Sequence, residues 1–513
     1  MDGPILAIDR NAEQTVGVQL VEGLRRGILD GALRPGDAVP STRALASELR
    51  VSRSAVVAAY EQLAGEGYLE LRQGAPTRVA ELAERAAGAA PPSSRHHWSP
   101  PRHPSQPSVT TRSPGAAGPA AELAESAAPR IDLRPGRPST SRIDTRAWRS
   151  AWRHAAALEI PSQPPPPFGV RRLREEIADH LRQARGVACE ADDVVVTAGT
   201  SDALALAASG LAVIAGRPPV IAVEHPGYPS ARRTLERRGA RIVPIPVDAD
   251  GIVVDAVQRM PQPPDAVMVT PSHQYPLGGR LPVSARLALI EWAREHGGFV
   301  LEDDYDSEYR HLGPPLPALA SLDGGGRDGS DGSDGADDNA DDDNGSVVLV
   351  GSFSKVLTPW LRLGYLVLPA NAAFRRALAQ VRDDEPCPVA GVAQDAAAAL
   401  LASGAVRRHI AATRRDYAHR RRLVIEVLGA LPGAPLSGLD GGLHAVLRLA
   451  DHESEQAVVA RLAGEGVAVA ALSGYSAVPD ALHAGLVFGY AGVGDTQLAE
   501  ALARIRAAIV AAT

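Results

Sequence analysis

Six short apolar runs, most of them leading into a segment of helical period, constrain this 513-residue chain more than any other feature. They are VVVTAG (194–199), VIAV (220–223), IVPIPV (242–247), AVMVTP (266–271), GFVLEDD (298–304) and VVLVGSFSK (347–355). Short runs alternating with helices mark βαβ units, and such units build a largely parallel sheet covered by helices. An α/β body over residues 131–513 is therefore expected. No apolar stretch approaches the ~18 residues of a membrane span, and the opening MDGPILAIDR lacks the basic flank and apolar core of a signal peptide. Cys189 and Cys387 are too few for a disulfide framework, so a cytoplasmic location is expected.

Two stretches fall outside that pattern. Residues 81–130 are rich in Ala, Pro and Ser without apolar period, and read as a flexible linker between the body and a compact unit at 1–80. The segment 323–345 (DGGGRDGSDGSDGADDNADDDNG) carries nine Asp and one Arg, and reads as a disordered surface insertion. The formal net charge of −7 belongs to that insertion, since the chain without it is near +1. The acidic total thus does not count against a nucleic-acid partner.

In the N-terminal unit, STRALASELRVSRSAVVAAYEQL (41–63) holds two helices joined by a tight turn at Arg50-Val51. Ser41 is placed to cap the first, with Leu45 and Leu49 inward; Ser52 is placed to cap the second, with Val56, Ala59, Tyr60 and Leu63 inward. Two helices so joined form a helix-turn-helix, whose second helix fits the major groove. GYLELRQGAPTRVA then supplies two short strands around Gln73-Gly74, a wing. Over residues 13–80 the sequence closely resembles the GntR-type winged helix-turn-helix, an α+β module that binds operator DNA. The resemblance implies DNA contacts at Arg43, at Ser52, Arg53 and Ser54, and at Gln73 and Gly74 in the wing.

The cation count is more selective still. Of 53 Lys and Arg residues only Lys355 is a lysine. Arginine replaces lysine wherever charge suffices, but it cannot replace a primary amine. Lys355 follows a β-run in VVLVGSFSKVLTPWLRLGYLVL, beside small hydroxyl residues, a setting suited to forming a Schiff base with pyridoxal 5′-phosphate (PLP). Ser352, Ser354 and Arg362 are polar groups able to hold a phosphate.

TPSHQYPLGG (270–279), EDDYDSEYRHLG (302–313) and GSFSKVLTPWLRLGYLVLP (351–369) resemble fold-type I, aspartate-aminotransferase-like PLP enzymes. Together with the N-terminal unit they resemble the MocR subgroup of GntR regulators over nearly the whole chain, and within it the PLP-responsive members. The resemblance implies Lys355 as the Schiff-base lysine, Asp303 facing the pyridine nitrogen, Tyr305 at the phenolic oxygen and Tyr228 stacked on the ring. It also implies a phosphate cup of Thr200, Ser201, Ser352, Ser354 and Arg362. Asp304 is the alternative to Asp303. By itself EDDYDSEY is equally compatible with an acidic metal loop or a solvated turn, and His273-Gln274 with loop support; within the resemblance no metal is expected.

Two departures from the enzymes stand out. Tyr275-Pro276-Leu277-Gly278 occupies the place of Asn-Pro-x-Gly, and Val487 stands where a substrate-carboxylate arginine belongs, with Arg448 the nearest arginine upstream. Efficient transamination is therefore not expected, though residual activity stays open. The reading that follows is a homodimeric, PLP-binding regulator that senses PLP and controls vitamin B6 synthesis. Its alternatives are a regulator sensing an amine such as GABA or taurine through bound PLP, and an active aminotransferase.

Overall fold

In a computed structural model, residues 16–29, 33–34, 36–49, 51–65, 68–70, 77–80, 130–312, 317–323, 344–478 and 483–512 are described. Arg50, Gln73, Gly74, nearly all of the expected linker and most of the acidic insertion lie outside these residues. No helix of the described residues is long and apolar enough to cross a membrane.

The N-terminal unit has helices α1 (Val16–Leu29), α2 (Thr42–Glu48) and α3 (Arg53–Gly65), with strands β1 (Leu69–Glu70) and β2 (Arg78–Val79) paired antiparallel. Ser41 Oγ accepts the Ala44 amide at 3.2 Å and Ser52 Oγ the Ala55 amide at 3.2 Å, so both serines cap as expected. Leu45, Val56, Ala59, Tyr60 and Leu63 are buried in one apolar cluster, and Leu49 packs against it. Tyr60 also donates to the Pro40 carbonyl at 2.7 Å, tying α3 to the segment that enters α2. Arg43, Ser52, Arg53 and Ser54 are left exposed.

In the body, β3 (Ile131–Asp132) precedes a seven-stranded sheet of β4 (Val194–Thr197), β5 (Val220–His225), β6 (Arg241–Pro246), β7 (Ala266–Val269), β8 (Phe299–Asp304), β9 (Val347–Ser352) and β10 (Gly364–Val367). Its order is β4-β10-β9-β8-β7-β5-β6. All six sequence runs are strands of this sheet, and β5 through β9 pair parallel as expected. The seventh strand, β10, is antiparallel to both neighbours. It departs from the βαβ pattern because β9 is followed only by the four-residue helix Phe353–Val356 and one short turn, too little chain for a crossover. Helices Arg171–Arg185 and Thr200–Ala215 bury Leu173, Ile177 and Leu204 on the sheet, in separate apolar clusters. A second, four-stranded sheet near the C-terminus has β11 (Leu436–Ser437), β12 (His444–Arg448), β15 (Gly485–Gly489) and β14 (Ala470–Ala471) in that order, while β13 (Val467–Ala468) pairs with β3. Cys189 and Cys387 are free and buried.

The pairing of β10 with β4 depends on a close backbone approach. A Cβ on Gly364 would lie 2.8 Å from Gly199 Cα and 2.8 Å from the Gly351 carbonyl oxygen, both parts of the main chain. Gly364→Ala is therefore expected to destabilise the body by about 1–3 kcal/mol or more, seen as a lower urea midpoint. A midpoint equal to the parent's would show that the two glycines can separate freely.

Candidate functional site

Parallel strands end together, and the carboxyl ends of β8 and β9 open onto a cavity of about 190 Å³. All nine residues assigned to the cofactor from sequence line it: Thr200, Ser201, Tyr228, Asp303, Tyr305, Ser352, Ser354, Lys355 and Arg362. They come from five separate segments, joined only by the fold.

The pleat of β8 sorts its three acids. Successive side chains point to opposite faces, so Glu302 and Asp304 turn one way and Asp303 the other. Glu302 accepts the Leu319 and Ala320 amides at 2.9 and 3.0 Å, capping the helix Leu319–Asp323. Asp304 forms a buried ion pair with Arg185 at 2.8 Å. Neither lines the cavity; Asp303 does, which removes Asp304 as its alternative. Asp303 Oδ1 is buried without a hydrogen-bond partner among the described residues. Burial, reinforced by the charge of Asp304, pushes its carboxyl up to about 8 against the weaker pull of Lys355.

Lys355 sits in the helix Phe353–Val356, and its Nζ donates to the Gly136 carbonyl at 2.8 Å. Burial lowers its ammonium pKa, with Asp303 and Asp306 opposing and Arg362 adding to the shift. A larger fraction is thus free amine than on a surface lysine. At the other end of the cavity, Gly199 precedes the helix Thr200–Ala215 and offers no side-chain cap, which leaves first-turn amides for an anion. Arg362 stands over this end. It has φ +47°, the one positive φ of a non-glycine residue among those described, and a Cβ on Gly199 would lie 3.7 Å from its guanidinium. Holding an arginine in that left-handed conformation costs of order 1–3 kcal/mol and aims the guanidinium at the helix start. Ser352 Oγ accepts the Ser354 amide at 3.1 Å, fixing the hydroxyl corner.

Sequence reasoning missed much of the opposite wall. Tyr275, Asp306, Leu443 and His444 line it, and Pro135 and Gly136 close one side. Tyr275 follows the tightly hydrogen-bonded Gln274, whose Nε2 donates to the Pro226 and Tyr275 carbonyls at 2.9 Å each. The Tyr275 ring packs edge-on against Tyr228, Tyr305, His444 and Tyr475, with centroids 5.1–5.6 Å away. His273, left undecided from sequence, shares a hydrogen bond with Asp306 at 2.9 Å and lies 3.0 Å from the Tyr305 hydroxyl, which also donates to the His273 carbonyl. Burial disfavours its cation, but Asp306 more than offsets this and raises its pKa. Burial, with the charges of His273 and Lys355 adding to it, pushes His444 down to about 4, so it is neutral and donates through Nε2 to the Pro276 carbonyl at 2.9 Å. SHQYP and EDDYD carried a signal for the first two residues; His444, far along the chain on β12, had none.

The two places that differ from aminotransferases are also clear. Val487 is wholly buried in an apolar cluster with Leu277, Val446, Leu472 and Tyr475. Arg448 is exposed and borders a different cleft. Among the described residues Arg362 is the only arginine lining the cavity.

Residues 131–505 match the family model "Aminotransferase class I and II", and residues 17–79 match "Bacterial regulatory proteins, gntR family". The body superposes on an archaeal alanine:glyoxylate aminotransferase with TM-score 0.63 at 21% identity, over 74% of this chain and 90% of that one. The pyridoxine biosynthesis transcriptional regulator PdxR of Corynebacterium glutamicum is 39% identical over 98% of both chains. The probable rhizopine catabolism regulatory protein MocR of Rhizobium meliloti is 31% identical, over 99% of this chain and 96% of its own. Fold and site thus define a winged helix-turn-helix joined to a fold-type I aminotransferase-like body. The chain belongs to the MocR-type GntR family of HTH transcriptional regulators.

The high value of Asp303 makes a pH prediction. Its folded value, about 8, lies above the ~3.9 of an exposed aspartate, so the folded chain holds this proton more tightly than the unfolded chain. The resulting stability is complete below pH ~4 and is lost as pH rises through 8. Asp303→Asn in ligand-free protein should remove this contribution. Denaturation midpoints measured across that window should fall less steeply with pH in the variant, and parallel curves would refute the assignment.

Proposed function

We propose that this chain is a transcription regulator that captures PLP at Lys355 and answers to it at operator DNA, controlling genes of vitamin B6 synthesis. The observation that carries the reading is the cavity itself. One depressed lysine amine, one buried carboxyl lacking a partner and one cationic cup for an anion face the same space, and among the described residues no second arginine is there for a substrate carboxylate. These residues fit PLP. Asp303 Oδ1 is an acceptor waiting for a donor, as a protonated ring nitrogen would be. When bound, PLP supplies an aldehyde open to attack by an amine, and a chromophore that reports the attack.

The chain's own residues then have distinct tasks. Lys355 offers the amine, which Gly136 orients through its carbonyl. Asp303 holds a proton at the ring nitrogen and is itself ionised by that contact. Tyr228 covers the ring face, and Tyr305 meets the phenolic oxygen. The first amides of the helix Thr200–Ala215, with Ser201, Ser352, Ser354 and Arg362, hold the phosphate. Thr200 contributes its hydroxyl to the same cup. The missing carboxylate clamp and the apolar surroundings of Val487 argue for PLP as the signal over an amino acid, and against rapid transamination. The relative named for pyridoxine biosynthesis supports vitamin B6 genes as the target.

At the N-terminal unit, Arg43 and Arg53 are exposed for phosphate or guanine contact, while Ser52 and Ser54 sit at the start of α3, where helix amides favour phosphate. The family resemblance adds Gln73 and Gly74 to this DNA surface. Fold-type I bodies pair, so two heads would read a repeated half-site.

Operator DNA selected from a random pool tests the reading. Adding PLP should change operator affinity in the parent chain, and Lys355→Ala should abolish both that change and the absorbance of captured PLP. An unaltered PLP response in Lys355→Ala would end the proposal. Arg53→Ala should weaken operator binding by about 1–3 kcal/mol while the PLP absorbance stays as in the parent. Equal operator affinity in that variant would remove Arg53 from the contact surface.

A further inference from the structure

The body carries a charged surface that the cavity does not use. The 24-residue helix Ala405–Leu428 reads AVRRHIAATRRDYAHRRRLVIEVL, with arginine pairs at 407–408, 414–415 and 421–422. A seven-residue step drifts only ~20° around a helix, so Arg408, Arg415 and Arg422 form a row along one side. At ~1.5 Å per residue the row is about 21 Å long. All three are exposed, while the helix buries Ile410, Thr413, Tyr417 and Val424 on its inner side. Arg420, the arginine turned inward, has its own partners, donating to the Ala491 carbonyl and pairing with Asp495.

Among the described residues the row has no carboxylate partner within 4.0 Å; Arg408 donates to the Ser403 carbonyl, and Arg422 approaches the His419 ring. The acid beside it, Asp416, is already held by Arg142 through contacts of 2.7 and 2.9 Å. Asp144, near Arg408, is occupied in capping the amides of Arg146 and Ala147. Asp144 and Asp416 feel the charges of Arg408 and Arg415 from a distance, but neither closes an ion pair with the row, and the three side chains stay exposed.

We propose that this row is a second DNA contact, gripping the phosphate backbone of the duplex whose sequence the head reads. The proposal rests on the DNA-binding reading of the head. A length of about 21 Å covers roughly six base-pair steps at ~3.4 Å each, and guanidinium groups match phosphate oxygens bidentately. The need is visible in the sequence: residues 1–80 hold nine Arg against ten acids, so the head supplies little long-range attraction for a polyanion. A row of phosphate contacts adds affinity without adding sequence preference.

The test uses the full chain with PLP bound and a random-sequence duplex, with binding measured over a salt series. The triple variant R408A/R415A/R422A should retain the PLP absorbance and bind more weakly. Its plot of log K against log salt should lose about 2–3 units of slope, at ~0.9 per phosphate contact. Arg53→Ala runs in parallel. If the triple variant matches the parent in affinity and slope while Arg53→Ala weakens binding, the row is not a DNA contact and the proposal is overturned. A row that serves an acidic protein gives that same result. If the triple variant loses slope and Arg53→Ala changes nothing, the row stands and the DNA-binding reading of the head is what fails.

Discussion

The parallel pairing of β8 with β9 is the constraint on which the rest of this molecule depends. Hydrogen bonds that align Asp303 with Val350 and Asp304 with Gly351 force both strands to finish at the same edge. The edge then holds an acid from one strand and, a few residues past the other, the lysine. Neither group alone suits a protein interior. Each is tolerable because the other is there: the carboxylate supports the ammonium, and the ammonium restrains the upward drift of the carboxyl. The antiparallel β10 completes the arrangement by returning Arg362 and Gly364 to the same edge, beside the start of the helix Thr200–Ala215.

Charge below the cavity is handled differently from charge inside it. Arg185 pairs with Asp304, Glu302 accepts two helix amides, and Arg286 donates to the Leu281, Pro317 and Pro271 carbonyls, all at 2.6–3.0 Å. This floor is a structural network in which removing any one partner strands the other. Within the cavity, by contrast, Asp303 Oδ1 is left over and Lys355 is held by a single carbonyl. An unpartnered carboxyl oxygen that opens onto a cavity beside the lysine distinguishes a binding site from a core.

Much of this was legible in the chain because the chemistry there is local. The six apolar runs became strands, the capping serines capped, and the cavity-facing role of Asp303 over Asp304 follows once the pleat of FVLEDD is known. What the sequence did not disclose is set by tertiary contact. β10 was not counted among the runs because its antiparallel entry has no crossover helix to announce it. His444 opens a strand of the second sheet and Leu443 just precedes it, over eighty residues beyond Lys355, and nothing near them in the chain has a motif. Gly136 is legible only as an ordinary glycine until its carbonyl is seen on the lysine. The left-handed Arg362 is likewise invisible in composition, since the strain belongs to the turn that places it.

The solitary lysine has a consequence for chemical selectivity. An aldehyde entering a typical protein meets many surface amines and is spread among them as transient adducts. Here the side-chain cations that coat the exterior are guanidinium groups, which form no Schiff base with a simple aldehyde near neutral pH, and the one ammonium lies half-buried in the cavity. Apart from the chain terminus, a carbonyl ligand has a single primary amine available to it. Occupancy of the site and modification of the protein are then the same quantity, and a reagent that fixes the adduct reads one lysine per chain without background.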